Sequence, residues 1–331
     1  MKNDVVRPFF IILLLTLAIS GCTAPLFQPS PGNPPRLSFP TTSLQGDNGT
    51  PDYSEIPGIP LGRGEFVFSD PLGNADRPIT VYTYRPVAWN QSGPVLVVIP
   101  GAGRDGRLSR FIWVRYAEQY SSLLIVPEFS LEYYPTDAWY HLGNTLNSAN
   151  WTLKAYRTPK TNWTYTAIEH LFDYTREKSG ATRETYLLFG HSAGGQFVHR
   201  MVTLLPEARY SRAVAANAGV YLLPEYSDAY PFGLKDSPVD GRDLPKIFAR
   251  KLIIISGGDD TDPNAEDLAN FPEAEAQGST RFERARFYFT TARSEAERIG
   301  VPLNWEYHVV PGVGHDPEGM AGPSAKILFS E

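Results

Sequence analysis

Two kinds of hydrophobic pattern alternate along residues 61–331 of the chain. Short apolar runs have the length of strands, and Val95–Ile99 is hydrophobic at every position. Such a run is typical of a strand buried on both faces of a parallel sheet. Longer segments carry apolar residues at helical spacing, and Trp163–Lys178 places Ile168 and Leu171 on one face. Together the two patterns predict an α/β fold with a doubly wound, mostly parallel sheet.

The remaining predicted elements follow these patterns. An N-terminal antiparallel hairpin is expected first, because Glu65–Ser69 and Ile79–Arg85 alternate and a Pro-Leu-Gly-Asn turn separates them. Further helices are expected at Ala193–Leu205 and Arg281–Ile299. The other predicted strands are Ser122–Val126, Thr185–Phe189, Arg212–Ala216, Lys251–Ser256 and the more amphipathic Asn304–Val310.

Residues 129–162 interrupt the alternation with aromatic residues in a polar, turn-rich background. The segment is too long for an ordinary connection between two elements. We expect a cap-like insertion or the wall of a pocket, to which Tyr221 could add an aromatic surface. Ordinary packing is the alternative, because 13% of the chain is aromatic. The aromatic residues of the segment include Phe129, Tyr133, Tyr134, Trp139, Tyr140, Trp151 and Tyr156.

Charge and cysteine content exclude several classes of protein. The 331 residues include 30 Lys and Arg against 36 Asp and Glu, a net charge of −6, and no basic block is present. A nucleic-acid partner is therefore not expected. The single cysteine, Cys22, excludes an internal disulfide and a multi-cysteine zinc or iron–sulfur site. We expect neither a metal nor another cofactor.

Residues 1–21 have the features of an export signal. The apolar run Phe9–Ile19 is shorter than the about 20 residues that a membrane-spanning helix needs. The Ile-Ser-Gly-Cys sequence that ends at Cys22 resembles a bacterial lipoprotein signal, with Ile19 where that family prefers Leu. The resemblance implies cleavage before Cys22, a lipid on its sulfur, and anchoring in the bacterial cell envelope, at the outer membrane of a Gram-negative cell. An ordinary secretory signal and an uncleaved anchor are the alternatives.

Residues 22–60 are rich in proline, with Ser, Thr, Gly and Asn between the prolines. Such a segment cannot bury enough apolar surface to offset its ordering entropy. We expect an extended tether that joins the lipid to one folded domain over residues 61–331. The lipid is then the only expected contact with a membrane.

A short motif in the centre of the domain carries the candidate chemistry. Gly190–Gly194 reads Gly-His-Ser-Ala-Gly and matches the pattern G-x-S-x-G. The apolar run Tyr186–Phe189 precedes it and a helical pattern follows it, so Ser192 is expected on a strand–turn–helix. In this context the sequence resembles the α/β-hydrolase superfamily, which implies that Ser192 is a nucleophile on a strained turn.

A serine nucleophile needs a histidine base, and the histidine needs a carboxylate that fixes its tautomer. The superfamily arranges these along the chain as serine, acid and histidine. Three histidines follow Ser192, but His199 lies two turns along the helix and His308 lies inside a strand. His315 follows a strand in a glycine-rich loop, where open α/β sheets place their active sites. We therefore predict His315 as the general base.

Three carboxylates compete for the role of the acid. They follow the strand Lys251–Ser256 in the sequence Gly-Gly-Asp-Asp-Thr-Asp-Pro, as Asp259, Asp260 and Asp262. The superfamily pattern G-x-x-D falls on Asp260, which is the predicted acid. Asp262 is the alternative, although a position just before Pro263 also suits the start of a turn.

The reaction also needs donors for the developing oxyanion. One is the backbone N–H of Ala193, which follows the nucleophile. The second is expected from the loop Pro100–Gly106, where the register of the superfamily falls on Ala102. The superfamily usually has His where Pro100 stands.

Several segments resemble a bacterial subgroup of esterases and depolymerase-like hydrolases that act on acyl or polyhydroxyalkanoate-type esters. The resemblance implies a serine hydrolase that cleaves carboxylic esters through an acyl-enzyme, with a small-molecule or oligomeric ester as partner. A serine peptidase or amidase on the same fold is one alternative, and a catalytically silent lipoprotein that binds a ligand is another. The segments are Pro100–Gly106, Pro127–Ser130, Tyr133–Pro135, Gly190–Gly195, Asn217–Tyr221 and Gly257–Pro263.

Overall fold

The computed structural model describes residues 58–146 and 158–330. The predicted signal of residues 1–21, the lipidation site Cys22 and nearly all of the tether lie outside the described residues. Eight strands form one sheet: β1 (Gly62–Phe68), β2 (Ile79–Arg85), β3 (Val95–Ile99), β4 (Leu123–Glu128), β5 (Tyr186–His191), β6 (Tyr210–Ala216), β7 (Leu252–Gly257) and β8 (Trp305–Val310).

The order of the strands across the sheet is β1-β2-β4-β3-β5-β6-β7-β8. β1 pairs with β2 and β2 with β4 in antiparallel register, whereas every other pairing is parallel. The predicted hairpin and the mostly parallel α/β sheet are confirmed. All the parallel strands end at one edge, which is where a site built from the following loops must lie.

Helices cover both faces of the sheet. They are α1 (Gly106–Gln119), α2 (Thr164–Ser179), α3 (Ala193–Leu204), α4 (Leu244–Phe248), α5 (Pro272–Glu275), α6 (Arg281–Ile299) and α7 (Pro317–Leu328), with 3₁₀ turns at Lys160–Asn162 and Gly241–Asp243. None of the helices in the described part of the chain is long and apolar enough to cross a membrane.

Alternate residues of β3 enter two separate cores. Val97 packs into a core that holds residues of α2, α3 and α6, such as Phe197. Val98 points to the other face, where the core holds residues of α1 and α7, such as Trp113 and Met320. Burial on both faces explains why this strand is hydrophobic at every position.

Helices α1 and α7 are absent from the predicted elements. α7 contains Pro323 and the glycines Gly319 and Gly322, which weaken any helical pattern read from the sequence. The helix starts where Asp316 accepts backbone N–H bonds from Glu318 and Gly319, at 2.9 and 3.0 Å. Capping and packing against the sheet therefore outweigh the low propensity.

The described parts of the aromatic segment, residues 129–146 and 158–162, pack largely into the main core. Phe129, Tyr134 and Tyr140 are each at most 2% exposed and belong to the larger core. The segment also reaches the edge of the sheet, because Asp137 and His141 line the cleft described below. Both expectations therefore hold in part: most of its described aromatic residues pack into the core, and Asp137 and His141 form part of the wall of the cleft.

Candidate active site

Ser192 lies on the sharp turn between β5 and α3. Its backbone angles are φ 58° and ψ −121°, a conformation that costs a residue with a Cβ about 1–3 kcal/mol. The N–H of Ser192 donates to the carbonyl of Ala216 at 2.9 Å, and its carbonyl accepts from the N–H of Gln196 at 3.0 Å. These bonds hold the strained turn at the carboxyl edge of the sheet.

Glycines around Ser192 allow the turn to pack. A Cβ on Gly190 would collide with the carbonyl oxygen of Gly194, and one on Gly194 would collide with that of Ile99. A Cβ on Gly195 would lie 2.6 Å from the carbonyl oxygen of Ala216. The close contact between β5, α3 and the neighbouring strands therefore requires glycine at all three positions.

The side chains of Ser192, His315 and Asp260 form one hydrogen-bonded chain. His315 Nδ1 lies 2.8 Å from Asp260 Oδ2, and His315 Nε2 lies 3.0 Å from Ser192 Oγ. Because a carboxylate only accepts, Nδ1 donates to Asp260, and Nε2 is left to accept from the serine hydroxyl. Asp260 is 5% exposed. The arrangement has the geometry of a nucleophile, a base and a group that orients the base.

Asn217 connects the two loops that carry the histidine and the acid. Its side-chain amide donates to the carbonyl of Gly314 at 2.9 Å, next to His315. Its Oδ1 accepts from the N–H of Gly257 at 2.8 Å, three residues before Asp260. Asn217 is buried and has a φ of 45°, a region that asparagine tolerates better than most residues. It fixes the distance between the two loops.

Arg281 links two carboxylates at the site. Its guanidinium lies 3.6 Å from Asp260 Oδ1 and 2.6 Å from Asp267 Oδ1, and the side chain is 2% exposed. Partial burial raises the pKa of Asp267, but the hydrogen bond and charge of Arg281 outweigh it and hold the pKa below its usual value. Asp267 Oδ2 in turn lies 3.9 Å from His315 Nε2. The histidine therefore has carboxylates on both sides.

His191, the residue before the serine, packs against the candidate base. Its ring centroid lies 4.7 Å from that of His315, at an interplanar angle of 40°. Burial, together with the charges of His315 and Arg281, lowers the pKa of His191 to about 3. His191 is thus neutral at physiological pH and contributes packing without a second positive charge beside His315.

Ala193 and Ala102 both line the cleft beside Ser192. Ala193 is the first residue of α3, so its N–H belongs to the helix terminus that has no partner within the helix. Ala102 lies in the turn between β3 and α1, which ends at Arg104. The guanidinium of Arg104 donates to the carbonyls of Phe129 and Tyr134, and so fastens this turn to the aromatic segment.

The cleft encloses a cavity of about 300 Å³ next to Ser192. Its walls combine apolar and charged groups from the loops after β3, β4, β6 and β7 and from α3 and α6. The lining residues are Ala102, Asp137, His141, Ser192, Ala193, Gln196, Arg200, Gly219, Val220, Phe232, Glu266, Asp267, Leu268, Ala269, Phe271 and Arg281. Among the described residues, no group of three or more His, Cys, Asp or Glu is arranged to hold a metal ion.

The competing carboxylates lie elsewhere. Asp262 is exposed, and its Oδ1 accepts from the backbone N–H of Asn264 at 2.9 Å, as expected for a turn before Pro263. Asp259 is exposed as well. Neither side chain forms a hydrogen bond with His315 in the described structure, so the geometry places Asp260 in the chain of contacts.

Tyr221 is absent from the lining of the cleft, so of the two interpretations given for it, packing is the one that the structure supports. Its side chain is fully buried, with its ring 4.9 Å from that of His199 and 4.6 Å from that of Tyr288. The strand-to-loop turn after β6 directs Tyr221 inward between α3 and α6. Ordinary packing explains this residue.

Three residues that contact the candidate site were not predicted from the sequence to do so: Asn217, Arg281 and His191. Asn217 and His191 lie in motifs that were noted, but nothing in the sequence shows which side chains bridge loops or pack on the base. Arg281 begins a predicted helix, and its partners Asp260 and Asp267 lie 21 and 14 residues before it. Only the fold brings these charges together.

The chain is similar to two solved structures over most of its length. Poly(aspartic acid) hydrolase-1 from Sphingomonas sp. KT-1 is 36% identical, with a TM-score of 0.78 over 82% of this chain and 100% of that chain. A poly(3-hydroxybutyrate) depolymerase from Bordetella parapertussis is 34% identical, with a TM-score of 0.75 over 82% of this chain and 91% of that chain.

A more distant likeness concerns the fold alone. An S-formylglutathione hydrolase from Agrobacterium tumefaciens is 15% identical, with a TM-score of 0.51 over 80% of this chain and 92% of that chain. Neither a family model nor a curated protein matches the sequence.

Proposed function

Because the chain belongs to the α/β-hydrolase family and is a hydrolase on that fold, we propose that it cleaves carboxylic esters through an acyl-enzyme on Ser192. The observation that carries the proposal is the chain of contacts from Asp260 through His315 to the hydroxyl of Ser192, at 2.8 and 3.0 Å. These distances are those of working hydrogen bonds, and they give each side chain a distinct role.

The reaction follows from those contacts. His315 Nε2 takes the proton of Ser192 as Oγ bonds to the ester carbonyl carbon, and the tetrahedral intermediate carries its negative charge on the former carbonyl oxygen. When the intermediate collapses, the bond to the alcohol oxygen breaks, and Nε2 returns the proton to the leaving alcohol. Water then attacks the acyl-Ser192 ester with His315 again as base, which releases the acid and restores the serine.

The oxyanion is held by backbone N–H groups. Ala193 N–H lies at the start of α3, where the helix dipole also favours negative charge. Ala102 N–H, in the loop after β3 that also lines the cleft, is the proposed second donor. Each such donor contributes roughly 10²–10³-fold to the rate in a water-excluded site.

A panel of aryl acyl esters and matched anilides tests the proposal. We expect ester turnover that falls by about 10³-fold or more in Ser192→Ala, because the nucleophile is lost. A fluorophosphonate probe should label the wild-type protein and leave Ser192→Ala unlabelled. Folded wild-type protein that neither turns over esters nor reacts with the probe would instead support a binding role.

Amide hydrolysis is a second candidate, and one similarity favours it. The relative named for poly(aspartic acid) acts on a polymer whose units are joined by amide bonds, whereas poly(3-hydroxybutyrate) is joined by ester bonds. The chain is similar to both relatives, and the same three side chains would serve either reaction. Clear turnover of the anilides together with negligible turnover of the esters would replace the first proposal by the second.

We also propose that the mature chain begins at Cys22 and is held in the bacterial cell envelope by lipid on that sulfur. The support is the Ile-Ser-Gly-Cys sequence after a short apolar run, followed by a proline-rich tether. Wild-type protein should incorporate a labelled fatty acid and sediment with membranes, whereas Cys22→Ser should do neither. Absence of the label from the wild type contradicts the lipid anchor.

A further inference from the structure

Arg200 is a buried cation in the cleft without a carboxylate partner among the described residues. Its side chain is 1% exposed and lines the same cavity as Ser192. Nη1 donates to the carbonyls of Gln196 and Val220 and to Gln196 Oε1, each at 3.3 Å, and lies 3.2 Å from His199 Nε2. These acceptors are neutral, since burial and the charge of Arg200 lower the pKa of His199 well below its usual value.

Among the described residues, the Nε side of the Arg200 guanidinium has no hydrogen-bond partner. Nε makes no hydrogen bond, and Nη2 makes none to any residue that the structure describes. Burial lowers the pKa of Arg200, which shows that the site penalises its charge. A buried cation that lacks a carboxylate is costly to the fold, and an anion bound by the unpaired N–H groups of Arg200 would offset that cost.

The acids of the cleft are differently placed. The negative charge of Asp137 raises the pKa of Arg200, but its carboxylate contacts His141, at 3.2 Å. The carboxylate of Asp267 contacts Arg281, at 2.6 Å. Both acids are exposed, as is Glu266. The cleft therefore has exposed carboxylates and a buried cation, Arg200, that forms an ion pair with none of them.

Arg200 lies at a defined distance from the reacting centre. Ser192, Gln196 and Arg200 are spaced four residues apart and so share one face of α3. The Cα atoms of Ser192 and Arg200 are about 12 Å apart along a helix. The contacts to Gln196 place Nη1 of the guanidinium beside a residue that lies about one helical turn from Ser192.

We propose that Arg200 binds a carboxylate of the substrate, so that the preferred substrates are esters with a free carboxylate a few bonds from the scissile carbonyl. The inference rests on the proposed function at Ser192. A guanidinium edge donates two parallel N–H···O bonds to a carboxylate, a geometry that the ammonium group of lysine does not offer. The cavity of about 300 Å³ has room for a short acyl chain between the two groups.

A series of p-nitrophenyl hemiesters tests the inference: malonyl, succinyl, glutaryl and adipyl, each beside its methyl diester. We expect the wild type to prefer the best acid over its methyl ester by tenfold or more in kcat/KM, with an optimum near glutaryl. Arg200→Gln should lower this ratio by at least tenfold, and Arg200→Lys should retain part of it. Free glutarate should inhibit the hydrolysis of a neutral ester competitively.

Arg183→Gln is the matched control, because it removes an exposed cation whose Nε donates to the carbonyl of Ser92, away from the cleft. It should leave the ratio unchanged. Equal kcat/KM for acids and diesters in the wild type, without competitive inhibition by glutarate, overturns the inference and leaves the proposed function intact. Absence of all ester turnover and of Ser192 labelling overturns both. If Arg200→Gln does not fold, the wild-type series and Arg200→Lys decide the question.

Discussion

Two histidine–aspartate pairs in the described part of the chain have nearly the same geometry and a buried carboxylate. His315 Nδ1 lies 2.8 Å from Asp260 Oδ2, and His170 Nδ1 lies 2.8 and 2.9 Å from the two oxygens of Asp70. Asp260 is 5% exposed and Asp70 2% exposed. A histidine held by a buried carboxylate is therefore not sufficient to define an active site in this protein.

The pairs differ in what surrounds the second ring nitrogen. His315 Nε2 faces the hydroxyl of Ser192 at 3.0 Å, in a cleft at the carboxyl edge of the sheet. His170 lies within α2, and no hydroxyl or thiol of a described residue forms a hydrogen bond with its Nε2. Asp70 also accepts from the backbone N–H of Leu72 at 3.1 Å, so this pair fastens the β1–β2 connection to a helix.

The comparison separates a chemical requirement from a structural one. Both pairs orient an imidazole, but only one presents the free nitrogen to a serine on a strained turn beside unpaired helix N–H groups. The charge environment differs too, because Arg281 lies 3.6 Å from Asp260. Substitutions at matching positions of the two pairs should therefore affect different properties.

Substitution of the two aspartates should separate the pairs most clearly. Asp260→Asn is expected to lower kcat for an aryl ester by about 10³–10⁴-fold, because the amide no longer fixes the tautomer of His315. Asp70→Asn should leave kcat within about twofold, since it lies in the other pair. Steady-state kinetics on both variants measures the contrast.

Folding of each variant, checked by circular dichroism, is the control for that experiment. Similar losses of kcat in the two folded variants would contradict the assignment of different roles. Full activity of Asp260→Asn would indicate that another carboxylate assists His315; Asp267 lies 3.9 Å from His315 Nε2.

Substitution of Arg281 is expected to cause the second-largest loss of activity. Arg281→Gln removes the cation between Asp260 and Asp267 and should lower kcat by about tenfold, ~1.4 kcal/mol in activation free energy. Arg286→Gln, an exposed position on the same helix, is the matched control and should leave kcat unchanged. Wild-type kcat in Arg281→Gln would show that the ion pairs near His315 act on stability alone.

The pair of His170 should matter for stability instead. Asp70→Ala removes a buried acceptor from His170 and from the N–H of Leu72, and should lower the free energy of unfolding by about 1–3 kcal/mol. Urea denaturation followed by tryptophan fluorescence measures the change. An unchanged midpoint would mean that this pair contributes nothing to the fold.

Asp262 provides the smallest expected effect. Its carboxylate is exposed and, among the described residues, accepts a hydrogen bond only from a backbone N–H of its own turn, so Asp262→Asn should change kcat by less than about twofold. A loss comparable with that of Asp260→Asn would show that Asp262 replaces Asp260 beside His315 during turnover.

Local patterns made the fold and the centre of the site predictable. Val95–Ile99 is hydrophobic throughout because both of its faces are buried, and Gly190–Gly194 is constrained because a Cβ on its terminal glycines would collide with backbone. Ser192 and His315 each follow a strand, and strands that end at one edge bring such residues together.

Groups defined by tertiary contacts were not predictable in the same way. Arg281 and Asn217 act through partners that come from other loops, and no spacing rule connects them. The unpaired charge of Arg200 is likewise a property of the packed cleft, since helical periodicity alone assigns it only to a face of α3. The sequence left two interpretations open for Tyr221, because an aromatic residue beside a site motif can line the site or turn into the core, as Tyr221 does.

Trapping of the acyl-enzyme tests the central claim most directly. Wild-type protein quenched in acid during turnover of a p-nitrophenyl ester should gain the mass of one acyl group, and peptide mapping should place it on Ser192. His315→Ala and Ser192→Ala should give no such adduct. Ester turnover with no acyl group on Ser192, or with the acyl group on another residue, would contradict the account.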